Sequence, residues 1–178
     1  ILLLFEERAE AVRRNVLSLG WDLAAMEKAG KLFILEARLD PKAILTGDFT
    51  LTPLLAIVKG QAQAMGATRI VIDAIDVLLR FYDDLRREQH ELYALHEWLM
   101  DSGFTTIMTA KGSEGVVGAM QYQFLEYMAD CVILLDLRVY GQITTRRLRV
   151  VKYRGSGFAS NEYPYIVDHE GNVLMPIS

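Results

Sequence analysis

An α/β fold, with a mostly parallel sheet covered by helices on both faces and antiparallel strands at the C-terminal end, is what this sequence predicts. Three observations carry the prediction. Short apolar runs such as Ile70-Val71-Ile72 recur up to residue 137, and strands that are apolar without alternation belong to parallel sheets buried on both faces. Amphipathic stretches with apolar residues at helical spacing lie between them, which is the alternation of a parallel βα sheet. From Arg146 onward the pattern changes to strands joined by turns, which suggests antiparallel additions at one edge.

The elements follow in order. Ile1–Phe5 reads as a strand and Ala9–Leu19 as a helix stopped by Gly20. Leu32–Leu35 is a strand. Pro53–Met65 is a helix carrying Leu54, Leu55, Val58, Ala62 and Met65 on its apolar side, and Gly66 ends it. Ile70–Asp73 is a central buried strand. Asp84–Ser102 is a long helix with Leu85, Leu92, Leu95 and Leu99 on one stripe and Gly103 after it. Phe104–Thr109 is a strand, followed by a glycine-rich loop through Gly112, Gly115 and Gly118. Cys131–Leu137, Arg146–Tyr153, Tyr163–Val167 and Val173–Met175 are the remaining strands.

The 178 residues fit one domain with a real core, so residues 1–178 are read as a single unit. A net charge of −4 gives no general attraction to nucleic acid or anionic membrane. One cysteine, Cys131, excludes a disulfide framework and makes a reducing cytoplasm the simplest setting. No apolar run has the length of a membrane span. The chain starts with Ile1 inside an apolar run, which reads as a missing N-terminal segment.

Ligands of parallel α/β sheets bind at the carboxyl ends of the strands, so the residues there are the candidates. Glu6 and Glu7 follow the first strand. They fit either acids meeting a helix dipole or a carboxylate that orients or activates water. Asp73, with Asp76 nearby, ends the central strand and fits either a turn acid or a carboxylate holding a magnesium-bound water. The phosphate-cradling loop G-x-x-x-x-G-K-[ST] that would accompany such an acid does not occur in the sequence; Ala29-Gly30-Lys31-Leu32 is the nearest fragment. Thr109, at a strand tip, fits a turn cap or a γ-phosphate sensor.

In the tail, alternation puts Arg146, Leu148, Val150, Lys152 and Arg154 on one side of a strand. Lys152 and Arg154 stand roughly 6–7 Å apart along it, close enough to reach one phosphate group. A charged edge strand is the other reading. His90, His96 and His169 have no metal-ligand spacing. Trp21 and Trp98 read as core or interface residues. Ser113 has no nucleophile-elbow sequence around it.

Taken together, "FEE" at 5–7, "SLGWDL" at 18–23, "GKLFILEA" at 30–37, "IVIDAIDVLL" at 70–79, "KYRGS" at 152–156 and "EYPYIVDHEGNVLMP" at 162–176 give the chain a resemblance. It resembles the KaiC family of RecA-like P-loop ATPases, and within it the first ATPase domain of clock KaiC proteins. The motifs run in family order over nearly the whole chain. The resemblance implies that the Walker A loop lies upstream of Ile1 and that Asp73 is the Walker B acid, holding Mg2+ through water. It makes Glu6 and Glu7 the catalytic pair that polarises the attacking water. Lys152 and Arg154 would be residues inserted into a neighbouring subunit's site to meet the γ-phosphate of ATP in trans. Arg146 and Asp168 match positions that help hold nucleotide at the subunit boundary.

The implied assembly is a homo-oligomer, a hexameric ring with sites at its boundaries, with room for regulatory protein partners. Phe158 departs from the family, which often carries histidine four residues after the finger arginine. Glu126-Tyr127 stand where the second KaiC domain carries its Ser-Thr phosphorylation pair, so ATPase activity without that autokinase function is implied. Two other functions are weighed. A DNA-repair ATPase of the RecA/RadA-paralogue type would need basic patches, and the loop 111–118 supplies only Lys111. A nucleotide-free scaffold follows if no P-loop accompanies the chain.

Overall fold

The computed structural model describes residues 1–37, 50–80, 82, 84–111, 120–169 and 171–175, with the backbone alone at 120–123. The glycine-rich loop expected through Gly112, Gly115 and Gly118, together with Ser113, lies outside the described residues, as do Glu170 and Pro176 of the last motif. The chain packs as two units, one of residues 1–17 and 21–117, the other of residues 18–20 and 118–178.

The first unit holds strands β1 (Leu2–Leu4), β2 (Ile34–Glu36), β3 (Arg69–Asp73) and β4 (Thr105–Met108). They form a parallel sheet in the order β2-β1-β3-β4. Its helices among the described residues are α1 (Ala9–Leu17), α2 (Leu23–Lys28), α3 (Thr52–Met65), α4 (Ile75–Leu79) and α5 (Leu85–Ser102). Leu3 and Leu4 point to opposite faces of β1 and are both buried, so the sheet is covered on both sides. Ile70 and Ile72 of β3 are each 1% exposed, as expected of a central strand.

The helix boundaries follow local chemistry. Pro53 sits in the first turn of α3, where its missing N–H costs nothing. Gly66 and Gly103 end α3 and α5 at φ 66° and 65°, a left-handed conformation that glycine adopts without strain. Asp22 and Asp84 cap α2 and α5 by accepting the N–H groups of Ala25 and Arg86, each at 3.0 Å. On α5 the stripe Leu92, Leu95 and Leu99 is buried, whereas Leu85 is exposed at the helix start and Glu88 is buried one turn on. Replacing Ile72 by Ala should lower unfolding stability by about 2–5 kcal/mol in a denaturant titration, because a buried residue of an interior strand leaves a cavity.

The second unit holds α6 (Met120–Met128) and the strands β5 (Cys131–Tyr140), β6 (Ile143–Tyr153), β7 (Tyr163–Asp168) and β8 (Gly171–Leu174). These strands make an antiparallel sheet of their own, in chain order. This corrects the expectation of additions to an edge of the parallel sheet, and β5 belongs to the hairpin ladder despite its apolar run. Gly141 turns the hairpin at φ 60°. Glu162 accepts from Arg138 at 2.6 Å and Arg147 at 3.2 Å, tying β5 and β6 to the segment before β7.

A second correction concerns the cationic strand. Val132 pairs with Lys152 but its neighbour Ile133 pairs with Val150, so Val151 is an extra residue in a bulge. Opposed residues share a face. Lys152 therefore lies on the face of Arg147 and Arg149, while Arg146, Leu148 and Val150 lie on the other.

Candidate active site

At the carboxyl end of the parallel sheet, backbone bonds bring three strand tips together. Leu4 is in register with Asp73, and the N–H of Phe5 continues the pairing by donating to the Asp73 carbonyl at 2.8 Å. The N–H of Thr109 donates to Ile72 at 3.0 Å, and its carbonyl accepts from Ile75 at 2.9 Å. Thr109 is thereby fixed beside Asp73, and its hydroxyl donates to Asp73 Oδ1. Hydrogen bonds that orient a carboxylate in this way leave its second oxygen for another donor.

Glu6 and Glu7 sit just beyond β1, both exposed. Lys111 Nζ reaches both oxygens of Glu6, at 2.8 Å each. That hydrogen bond is the main cause raising the Lys111 amine above its ordinary value. Glu7 has no hydrogen bond or ion pair among the described residues. The helix-dipole reading of this pair loses ground, because α1 starts only at Ala9, and its first N–H donates to Glu36 Oε1 at 2.8 Å. The carboxylate at the α1 N-terminus is that of Glu36.

Asp76 has a different task from the one weighed for it beside Asp73. It is 4% exposed. Its Oδ2 accepts from Arg80 at 2.9 Å and its Oδ1 from the Lys111 N–H at 3.1 Å. A buried carboxylate with both oxygens engaged is a structural tie; here it anchors the chain after β4. Glu36 and Lys111 are residues that sequence reading did not assign to this region, and Asp76 was weighed only beside Asp73. Their partners lie 27 to 105 residues away where the contact is long-range, and no local pattern announces such pairs.

In the second unit, Lys152 and Arg154 converge on the C-terminus of α6. Lys152 Nζ donates to the carbonyls of Glu126 at 2.7 Å and Tyr127 at 2.9 Å. Arg154 Nη2 donates to Tyr127 O at 2.7 Å, and Nη1 pairs with Asp130 at 3.3 Å. Cations at the carbonyl end of a helix satisfy orphan acceptors and complement the dipole, so both already have partners within their own unit. Arg146 is exposed on β6, opposite Leu137. Asp168 ends β7, opposite Gly171.

A central parallel sheet with acids at its strand tips, plus a β-rich C-terminal unit, is the architecture of RecA-like ATPases, and the solved structures agree. A KaiC-like protein from Pyrococcus horikoshii OT3 superposes with a TM-score of 0.82 at 28% identity, covering 98% of this chain and 74% of that one. The family model described as "ATPase: KaiC" matches residues 1–178. The chain belongs to the KaiC family of ATPases. Curated relatives include the circadian clock protein KaiC2 of Synechocystis sp., 34% identical over the whole chain. The circadian clock oscillator protein KaiC of Synechococcus elongatus is 32% identical over 99% of the chain. The chain spans about a third of the length of these relatives, 31% and 34%. No described helix is long and apolar enough to cross a membrane.

Proposed function

We propose that the chain supplies the water-orienting and magnesium-organising half of an ATP-hydrolysing site in a KaiC-type protein. The observation that supports this most is the convergence of Asp73, oriented by Thr109, with Glu6 and Glu7 on adjacent strand tips. Among the described residues no group of three or more His, Cys, Asp or Glu side chains could hold a metal ion. A site built only from protein ligands therefore does not fit, but magnesium does, because it keeps several waters and takes phosphate oxygens beside one or two carboxylates. Asp73 would hold such a water, and the bound ion would neutralise charge on the phosphates. Glu6 and Glu7 would orient the attacking water in line with the terminal phosphate. Phosphoryl transfer asks for that positioning above all.

The reading extends to a hexameric ring in the cytoplasm, with Lys152 and Arg154 acting across a subunit boundary and Arg146 and Asp168 near the nucleotide there. Residues 1–178 are taken as one ATPase domain. Regulatory protein partners and a signalling or clock role belong to the same reading, on the strength of the relatives' names. No autokinase function is included.

Triphosphate affinity in P-loop proteins rests on backbone N–H groups of the loop, and the sequence contains no such loop. Residues 1–178 alone should therefore bind magnesium-ATP weakly in calorimetry, and a longer form carrying a P-loop before Ile1 far more tightly. Micromolar affinity of residues 1–178 alone would contradict this assignment of the phosphate contacts.

A further inference from the structure

Glu6 and Glu7 are adjacent and chemically alike, yet their surroundings differ. Both Glu6 oxygens are held by one ammonium, that of Lys111. Glu7 has no such partner among the described residues. Lys111 is itself fixed at its backbone, where its N–H donates to the buried Asp76. Asp76 belongs to α4, which begins two residues after Asp73. A continuous set of bonds thus runs from the segment after β3, through Lys111, to the carboxylate beyond β1.

We propose that Lys111 is the positioning residue of Glu6, and that Glu6 is the carboxylate of the pair that orients water. The inference rests on the proposed ATPase reading and divides its two glutamates. A water-orienting group works by fixed geometry, and misplacing one by about 1 Å costs on the order of 100-fold in rate. Base strength matters less where the transition state is loose and metaphosphate-like. A carboxylate held at both oxygens keeps a second lone-pair site on each for a water. The side chains of the pair are 64% and 48% exposed, and an exposed ion pair contributes little to folding. Loss of Lys111 should thus leave stability nearly unchanged while misplacing Glu6.

The test is steady-state ATPase kinetics of the full-length protein carrying Lys111→Met, Lys111→Arg, Glu6→Gln, Glu7→Gln or Glu6→Gln with Lys111→Met. Lys111→Met should lower kcat about 10- to 100-fold with KM for ATP unchanged. Lys111→Arg should keep most of the turnover. Glu6→Gln should cost far more than Glu7→Gln, and adding Lys111→Met to Glu6→Gln should cost nothing further. Unchanged kcat in Lys111→Met overturns the inference. So does a rise in KM alone, which makes Lys111 a nucleotide contact, or an equal loss in the Glu6→Gln background, which makes it act elsewhere. Full turnover in both Glu6→Gln and Glu7→Gln removes the ATPase reading itself, whereas loss in Glu6→Gln with none in Lys111→Met removes the positioning role alone.

Discussion

In the full-length protein, replacing Glu6 and Glu7 together by Gln should reduce ATP turnover by about 10²–10⁴-fold, the usual contribution of a positioned acid–base group. Nucleotide binding should survive, because the amides keep the shape of the site and the phosphates are held elsewhere. The glutamates do not cap α1; Glu36 does. Stability should therefore change little, so a thermal melt beside the kinetics separates lost chemistry from lost fold. Wild-type turnover in the double variant would return both acids to an electrostatic role on the surface.

Replacing Arg154 by Ala should lower turnover by about 10³–10⁵-fold if it is an arginine finger. The local contacts sharpen this test. Arg154 donates to Tyr127 O and pairs with Asp130, and those ionic side chains are 50% and 77% exposed. An exposed pair is worth about 0–1 kcal/mol. A residue that only caps α6 would thus yield a slightly lower melting temperature with turnover intact. A finger acts across a boundary, so mixing Arg154→Ala subunits with Glu6→Gln/Glu7→Gln subunits should recover part of the activity. Each boundary with intact glutamates on one side and an intact arginine on the other is a complete site. If mixed rings form and activity does not return, Arg154 does not act in trans.

The parallel sheet and its long helices were legible because periodicity and caps agree there. Leu92, Leu95 and Leu99 recur at helical spacing and Gly103 follows, while Ile70-Val71-Ile72 is apolar on both faces. The short helices α2, α4 and α6 were not. Six or five residues, as in α2 and α4, give less than two turns of pattern, and Ile75–Leu79 reads equally well as part of an apolar run. β5 outran its sequence-based bound at Leu137 because the next residue, Arg138, is paired to Asp136 and Glu162, so charge there does not end a strand. The bulge at Val151 defeats simple alternation, since one unpaired residue reverses every face assignment beyond it. At the site, Glu6, Glu7, Asp73 and Thr109 were visible from their places at strand ends. Lys111 and Glu36, and the tie that Asp76 makes, were not, because those roles exist only through contacts made by folding.

In the proposed site the carboxyl ends of β1 and β3 receive the terminal phosphate of ATP. The decisive experiment is a crystal structure of the protein, with its P-loop present, bound to magnesium and a non-hydrolysable ATP analogue. The expected result has the terminal phosphate facing Glu6 and Glu7, with a magnesium-bound water on the free oxygen of Asp73. A nucleotide bound away from these strand tips, or an ion held without Asp73, would contradict the account.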